Sequence, residues 1–210
     1  LPGLGIISNS DNEELSLIIN SMLKENILDN SSKRCLEIGP GDGCFLNILK
    51  SLGWETYFID KSKDVINRLS LKHKKHADPN KYNLIILRHV LEHINEPGEL
   101  LDSICDNYIT KNSMIHIEVP CWDFLDENTD PLIHEHIQQF TSKSLRKLLE
   151  IKKMKIINLN IRKNINYSTT SNWRLIVNCV LEDSIKKESN STDYVKKYYS
   201  KLDLKLSKII

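Results

Sequence analysis

The sequence predicts an α/β fold: a doubly wound, mostly parallel sheet of seven strands, with helices on both faces and one at each end of the chain. Three observations predict it. Short apolar runs of strand length alternate with segments whose apolar residues recur at helical spacing, the pattern of a parallel sheet covered on both faces. Of only 7 glycines, three fall within five positions, at Gly39, Gly41 and Gly43, between the first such run and the helix after it. The 210 residues, 40% hydrophobic and 27% charged, suffice to bury one substantial core.

Ser10 and Asp11 are N-cap candidates with Glu13 and Glu14 three residues on, and Leu15, Ile18, Ile19, Met22, Leu23 and Ile27 follow at helical spacing. They predict an amphipathic helix within an N-terminal cap, residues 1–30. The main domain, residues 31–183, begins after a polar break. Residues 34–38 read as a buried strand running into the glycine loop. Residues 44–52 read as a helix with Phe45, Leu46, Ile48, Leu49 and Leu52 on its apolar face, ended by Gly53. A second strand, 55–59, ends at Asp60, and 63–71 is helical with Val65, Ile66 and Leu69 inward. The basic stretch 72–81 has room for a short strand near His76. Strands over 82–87, 114–119, 156–161 and 175–181 follow, with helices over 99–108 and over 142–151, the latter capped by Thr141 or Ser142. Tyr194, Val195, Tyr198, Leu202, Leu206 and Ile209 predict a lysine-rich helix within the C-terminal segment 184–210.

Twenty-nine Lys+Arg against 28 Asp+Glu give a net charge of +1, without the basic excess of a nucleic-acid binder. No apolar run approaches the ~20 residues of a membrane span. The chain opens Leu-Pro-Gly-Leu-Gly, with neither an initiator Met nor a signal-peptide pattern, as a segment of a longer chain would. Its five cysteines are odd in number, widely spaced and never CxxC, which fits neither a disulfide framework nor a cysteine zinc site and suits a reducing cytoplasm.

In Leu36-Glu37-Ile38-Gly39-Pro40-Gly41-Asp42-Gly43 the alternate glycines let the backbone turn sharply and lie flat against a ligand. A dinucleotide site would be spaced GxGxxG. Here the spacing is GxGxG, and the Glu37 carboxylate would repel a pyrophosphate; it suits a cationic amino group or ribose hydroxyls. Asp60, 17 residues past Gly43, stands where a doubly wound fold places an acid on ribose hydroxyls. An NAD-dependent dehydrogenase is disfavoured on the same grounds.

These residues resemble the class I S-adenosylmethionine-dependent methyltransferases, whose first motif, an acid followed by GxGxG, is matched by Glu37 to Gly43 and whose ribose acid is matched by Asp60. The resemblance extends over about residues 30–182. It implies the Rossmann-like methyltransferase fold, whose last strand is antiparallel, and S-adenosyl-L-methionine as cofactor, with S-adenosyl-L-homocysteine as product. Gly39, Gly41 and Gly43 would follow its amino-acid portion, with Asp60 on the ribose and Lys61 beside it. Leu87-Arg-His-Val-Leu-Glu-His-Ile-Asn-Glu-Pro97 is similar to the segment that lies under the cofactor in relatives, which puts Arg88 and His89 at the cofactor's rim. The Gly-Gly pair common in relatives is missing from 108–113, and the region of Asp78, where relatives often place an adenine-contacting acid, is short and basic.

Methyl transfer is an in-line displacement, so the protein must align acceptor and methyl and, for a hydroxyl or acidic C–H, remove a proton. Histidine is the natural base near neutral pH. His73 and His76, among lysines, read as solvated surface, and His116 as a packed or hydrogen-bonded strand residue. His89 and His93 read as cofactor or acceptor contacts or as a hydrogen-bonded cap, the cap being favoured for His93. His134-Glu135-His136 follows the fifth strand in a loop with Trp122, Asp123, Asp126, Glu127 and Asp130, at the sheet end where ligands bind. That string is similar to the His-Glu-His segment of methyltransferases acting on nucleotide-linked sugars.

His136, or failing that His134, is the candidate base, against a structural clamp. Neighbouring side chains of an extended His-Glu-His diverge and no third ligand declares itself, so no metal is expected. Trp122 and Trp173 read as acceptor-pocket wall or as core. The expected activity is methyl transfer to a small polar metabolite, a hydroxyl of a sugar, nucleotide-sugar or surface-glycan precursor in polysaccharide biosynthesis. Sugar C-methylation or a non-catalytic methyltransferase-like binding subunit is the alternative. The expected partner is that small-molecule acceptor, without nucleic acid or membrane, and a homodimer stays open.

Overall fold

The structure is a computed structural model that describes residues 17, 18, 21, 33–76, 81–110, 113–124, 136–163 and 173–182. The C-terminal helix, His134, most of the N-terminal cap and Asp78 lie outside the described residues.

Seven strands form one sheet: β1 (Arg34–Ile38), β2 (Glu55–Ile59), β3 (Lys74–Lys75), β4 (Leu84–Arg88), β5 (Met114–Pro120), β6 (Met154–Lys163) and β7 (Trp173–Leu181). Their order is β3-β2-β1-β4-β5-β7-β6. Neighbours from β3 to β5 pair in parallel, and β7 runs antiparallel to both β5 and β6. Helices α1 (Cys44–Ser51), α2 (Lys63–Leu69), α3 (Pro97–Asn107) and α4 (Ser142–Ile151) connect them, with a 3₁₀ turn at Leu91–His93.

The central strands are apolar without interruption because both faces are covered, and alternate residues enter opposite layers. Leu36, Ile85, Leu87, Ile115 and Ile117 pack with Leu100, Leu101 and Ile104 of α3 and Leu145 and Leu149 of α4. Cys35, Phe58, Leu84, Ile86 and Met114 pack with Phe45, Leu46, Ile48 and Leu49 of α1 and with Ile18. The described residues of the entry helix thus close the α1 side of the sheet. Asn178 of β7 fastens them, donating to Ser21 Oγ at 3.1 Å and accepting at Oδ1 from His116 Nδ1 at 2.6 Å. His116, fully buried, also stacks on Phe45, the packed role its strand position predicts.

Several expectations are corrected. His73 is 4% exposed rather than solvated: α2 stops at Leu69, the chain turns with the His73 N–H donating to Leu69 O, and the ring meets Thr56 Oγ1 at 2.8 Å and Asn47 Oδ1 at 3.2 Å. Burial, together with the charges of Lys50 and Lys72, pulls its pKa down to about 4. His76 is half-buried, with Nδ1 2.6 Å from the Tyr82 hydroxyl and its ring edge-on to Tyr108. Both are drawn in by β3, whose two residues pair with Tyr57 and Phe58. The β4 ladder starts at Leu84 rather than residue 82, because Tyr82 turns into an aromatic cluster with Tyr57 and Tyr108 while Asn83 Oδ1 accepts from Arg34 N. Strand β6 runs longer than its apolar run, since β7 pairs with it from Met154 to Lys163.

Replacing Asn178 with Ala strands the buried His116 ring and releases the entry helix. Urea unfolding of this variant should show a loss of about 1–3 kcal/mol, the cost of an unmade buried hydrogen bond.

Candidate active site

The carboxyl ends of β1 and β4 lie side by side where the strand order reverses, the point at which such sheets leave a crevice for ligands. The glycine loop leaves β1 here, with Gly39 N donating to Ile59 O on β2. Gly43 caps α1 at φ 76°, a left-handed conformation, and a Cβ on it would come within 2.5 Å of the buried Leu69. A Cβ on Gly41 would meet nothing within 4 Å, so the outer rim of the loop faces open space. The loop is stiffened from both sides: Asp42 Oδ1 accepts from Cys44 N, and Arg68 donates to Gly41 O at 2.7 Å.

Two carboxylates flank this loop. Glu37 is 2% exposed at the end of β1. Asp60 is half-buried directly after β2, and its Oδ1 accepts from Ser62 N at 2.8 Å, which fixes the carboxylate at the strand end. The adjacent Lys61 is exposed. The positions predicted from spacing therefore converge on one sheet edge.

A third buried acid, Glu118 near the end of β5, organises the other side. It has no exposure, and it accepts from Arg88 Nε at 2.8 Å, from Arg174, and from His89 Nε2 at 3.3 Å. Burial raises a carboxyl pKa, but the His89 bond and the Arg88 and Arg174 charges outweigh it and hold Glu118 well below the carboxylate range. Arg88 also lies over the Phe45 ring at 4.8 Å. For His89, burial opposes charge, yet its bonds to Glu118 and Glu92 win and raise it to about 9. His89 adopts φ 52°, uncommon for a residue other than glycine, and its N–H donates to Glu118 O. That turn sends His89 to the two acids and His93 elsewhere.

His93 closes the 3₁₀ turn and meets His136, ring centroids 4.9 Å apart at 74°. His136 reaches this place because its segment is laced to the turn: Ile137 N and Gln138 N both donate to Glu92 O, at 2.8 and 2.9 Å. Further on, Phe140 bridges to Cys121, and Asp123 Oδ2 accepts from Ser142 N at 2.7 Å at the start of α4. Glu92, His93 and His136 thereby bring three ligating atoms within 4.8 Å of one another. The His-Glu-His string, taken alone, offers no such set, since Glu92 and His93 come from 44 and 43 residues upstream of His136. Val90, in the same turn, sits against the glycine loop, its Cγ2 3.1 Å from where a Cβ on Gly39 would be.

Sequence reasoning did not single out Glu118, Arg174 or Glu92. The signal for Glu118 was present, an acid inside the apolar run from Met114 to Val119. Trp173 is half-buried and packs on Phe124, and Trp122 is half-buried at the start of the loop after β5. All five cysteines are free thiols. Among the described residues, no helix is long and apolar enough to cross a membrane.

Residues 10–151, two thirds of the chain, match the model of a methyltransferase domain family. No curated protein sequence matches. Among solved structures, the chain is similar to a SAM-dependent methyltransferase from Archaeoglobus fulgidus, at 18% identity and TM-score 0.53 over 79% of this chain and 93% of that one. It is similar also to magnesium protoporphyrin IX methyltransferase from Synechocystis PCC 6803 with bound SAH, at 14% identity and TM-score 0.60 over 86% and 90%. A third is a plantazolicin methyltransferase in complex with SAH, at 16% identity and TM-score 0.56 over 83% and 86%. At these identities the likeness speaks for the fold.

The pKa of His89 in the folded chain exceeds its ordinary value of 6.5, so its stabilisation is complete below pH 6.5 and is lost as pH rises through about 9. The thermal midpoint should fall between pH 7 and pH 10. In His89→Gln the fall should be shallower, as a pH series of melting curves would register.

Proposed function

We propose, from the premise that this chain belongs to the methyltransferase family whose domain its residues 10–151 match, that it methylates a hydroxyl of a small polar metabolite. A sugar, nucleotide-sugar or surface-glycan precursor in the cytoplasm is the preferred acceptor. The chain is an S-adenosylmethionine-dependent methyltransferase. When bound, S-adenosylmethionine supplies a methyl group on a sulfonium.

The residues present fit that group. The rim of the glycine loop at Gly41 is open where a side chain would otherwise project, so backbone can approach a ligand closely. Glu37 offers a buried carboxylate toward a cationic amino group, and Asp60, oriented by Ser62 N, offers one to ribose hydroxyls. Lys61, Arg88 and His89 form the rim, the last two held by Glu118. No pyrophosphate is expected beside so many carboxylates.

What supports the acceptor reading is the corner of Glu92, His93 and His136, which shares its turn with Val90, the residue against Gly39 of the glycine loop; a histidine there would take the acceptor's proton. His136 is the described candidate for the base; His134 remains a candidate from sequence. Relatives in structure are named for a porphyrin and for peptide products, so their acceptors differ and none is inherited here. The sugar preference rests on the resemblance of the His-Glu-His string together with a polar, histidine-rich corner.

Asp60→Ala should weaken S-adenosylhomocysteine binding by calorimetry roughly 10- to 100-fold, the worth of hydrogen bonds to a charged group. His136→Ala should leave that affinity within a few-fold while turnover falls about 10²- to 10⁴-fold, the usual share of a general base. Release of S-adenosylhomocysteine with a panel of sugars, nucleotide-sugars, peptides and porphyrins checks the acceptor class. Turnover confined to peptides or porphyrins would refute the sugar reading.

A further inference from the structure

We infer that Glu92, His93 and His136 form a binding site for a divalent transition-metal cation at the acceptor side of the crevice. Glu92 is 1% exposed, and only one of its oxygens is spoken for: Oε1 meets His89 Nδ1 at 3.1 Å, while Oε2 is buried without a hydrogen-bond partner among the described residues. A buried carboxylate oxygen left so is costly, and the carboxylate that carries it has an oxygen within 4.8 Å of ring nitrogens of both His93 and His136. A cation there takes the carboxylate and one nitrogen of each ring as its donors.

The donor set is two histidines and one carboxylate, which suits zinc, manganese, iron(II) or cobalt(II) better than the all-oxygen preference of calcium. With ligands about 2.0–2.2 Å from the ion, two donors of one ion stand roughly 3–3.5 Å apart, so small ring rotations close the present spacing. Three protein donors leave coordination positions open. The site is also supported from outside, as ligating groups usually are: His89 holds the second oxygen of Glu92, and two backbone N–H groups lock the strand of chain carrying His136 to Glu92 O.

The site stands independently of the acceptor, but its catalytic role rests on the proposed methyl transfer and revises its proton step. An acceptor hydroxyl on the cation becomes more acidic, as metal-bound water does. The acceptor oxygen then bonds to the methyl carbon, the C–S bond breaks with its electron pair on sulfur, and the hydroxyl proton passes to solvent water. His136 becomes a ligand in place of a base.

The test titrates chelator-dialysed protein with CoCl₂, reading stoichiometry by calorimetry and visible d–d absorption, alongside S-adenosylhomocysteine binding. Wild type should take one Co²⁺ per chain. Glu92→Gln, His93→Ala and His136→Ala should each weaken this beyond the roughly 10- to 100-fold that loss of an outer-sphere partner costs. S-adenosylhomocysteine affinity should persist in all three, which shows that they fold. Absence of Co²⁺ binding by wild type, or binding undiminished in the variants, overturns the metal site. Should a variant lose S-adenosylhomocysteine binding, protection of His93 and His136 from diethyl pyrocarbonate by Co²⁺ in the wild type decides instead, and no protection overturns the site. Co²⁺ binding without S-adenosylhomocysteine binding in the wild type would leave the site and sink the methyl-transfer reading; the reverse would keep the reading and the base.

Discussion

Glu118 carries a negative charge with no exposure to water, and the compensation of that charge arranges one side of the crevice. A buried carboxylate is tolerated only if paired and hydrogen-bonded. Arg88 at the end of β4, His89 just beyond it and Arg174 on β7 all turn to meet it. Three strands and the start of the 3₁₀ turn are therefore tied at one carboxylate. The left-handed backbone at His89 belongs to the same knot, for it lets the ring reach Glu118 and Glu92 together. Such a cluster is weak evidence for stability, since desolvation offsets much of the attraction. Its contribution here is to orientation: ion pairs to Glu118 aim Arg88 and His89 at the rim where the cofactor is proposed to lie.

The turn fixed by this knot is also what makes the Glu92, His93 and His136 corner. His89 leaves toward β5, and His93 faces the segment that carries His136. That segment has little core of its own. It is held by backbone hydrogen bonds to Glu92 and by its bridge to Cys121, with Asp123 capping the helix that follows. Sheet, turn and returning segment thus form a chain of dependence from Glu118 to the histidine pair.

Much of the fold was legible because its signals are local. The apolar strand runs, the glycine loop between β1 and α1, and the acids at Glu37 and Asp60 follow from short-range pattern, the antiparallel last strand follows from the family resemblance, and the structure joins all seven strands in one sheet. The errors have local causes as well. His73 looked solvated because lysines surround it in sequence, yet a two-residue strand and a shortened α2 carry it to Thr56 and Asn47. The start of β4 was misplaced because Tyr82 is apolar enough to read as strand while its ring serves an aromatic cluster.

By itself the sequence determined the layer architecture and the glycine loop with an acid at each flanking strand end, since hydrophobic period, glycine spacing and those acids act over a few residues. Only the tertiary structure decided what lies opposite. Glu92 and His93 stand more than forty residues from His136, and Glu118 stands far from Arg174; no periodicity links them. Their pairing comes from the crossover of the chain and from buried charges that must find partners, and those are properties of the folded sheet.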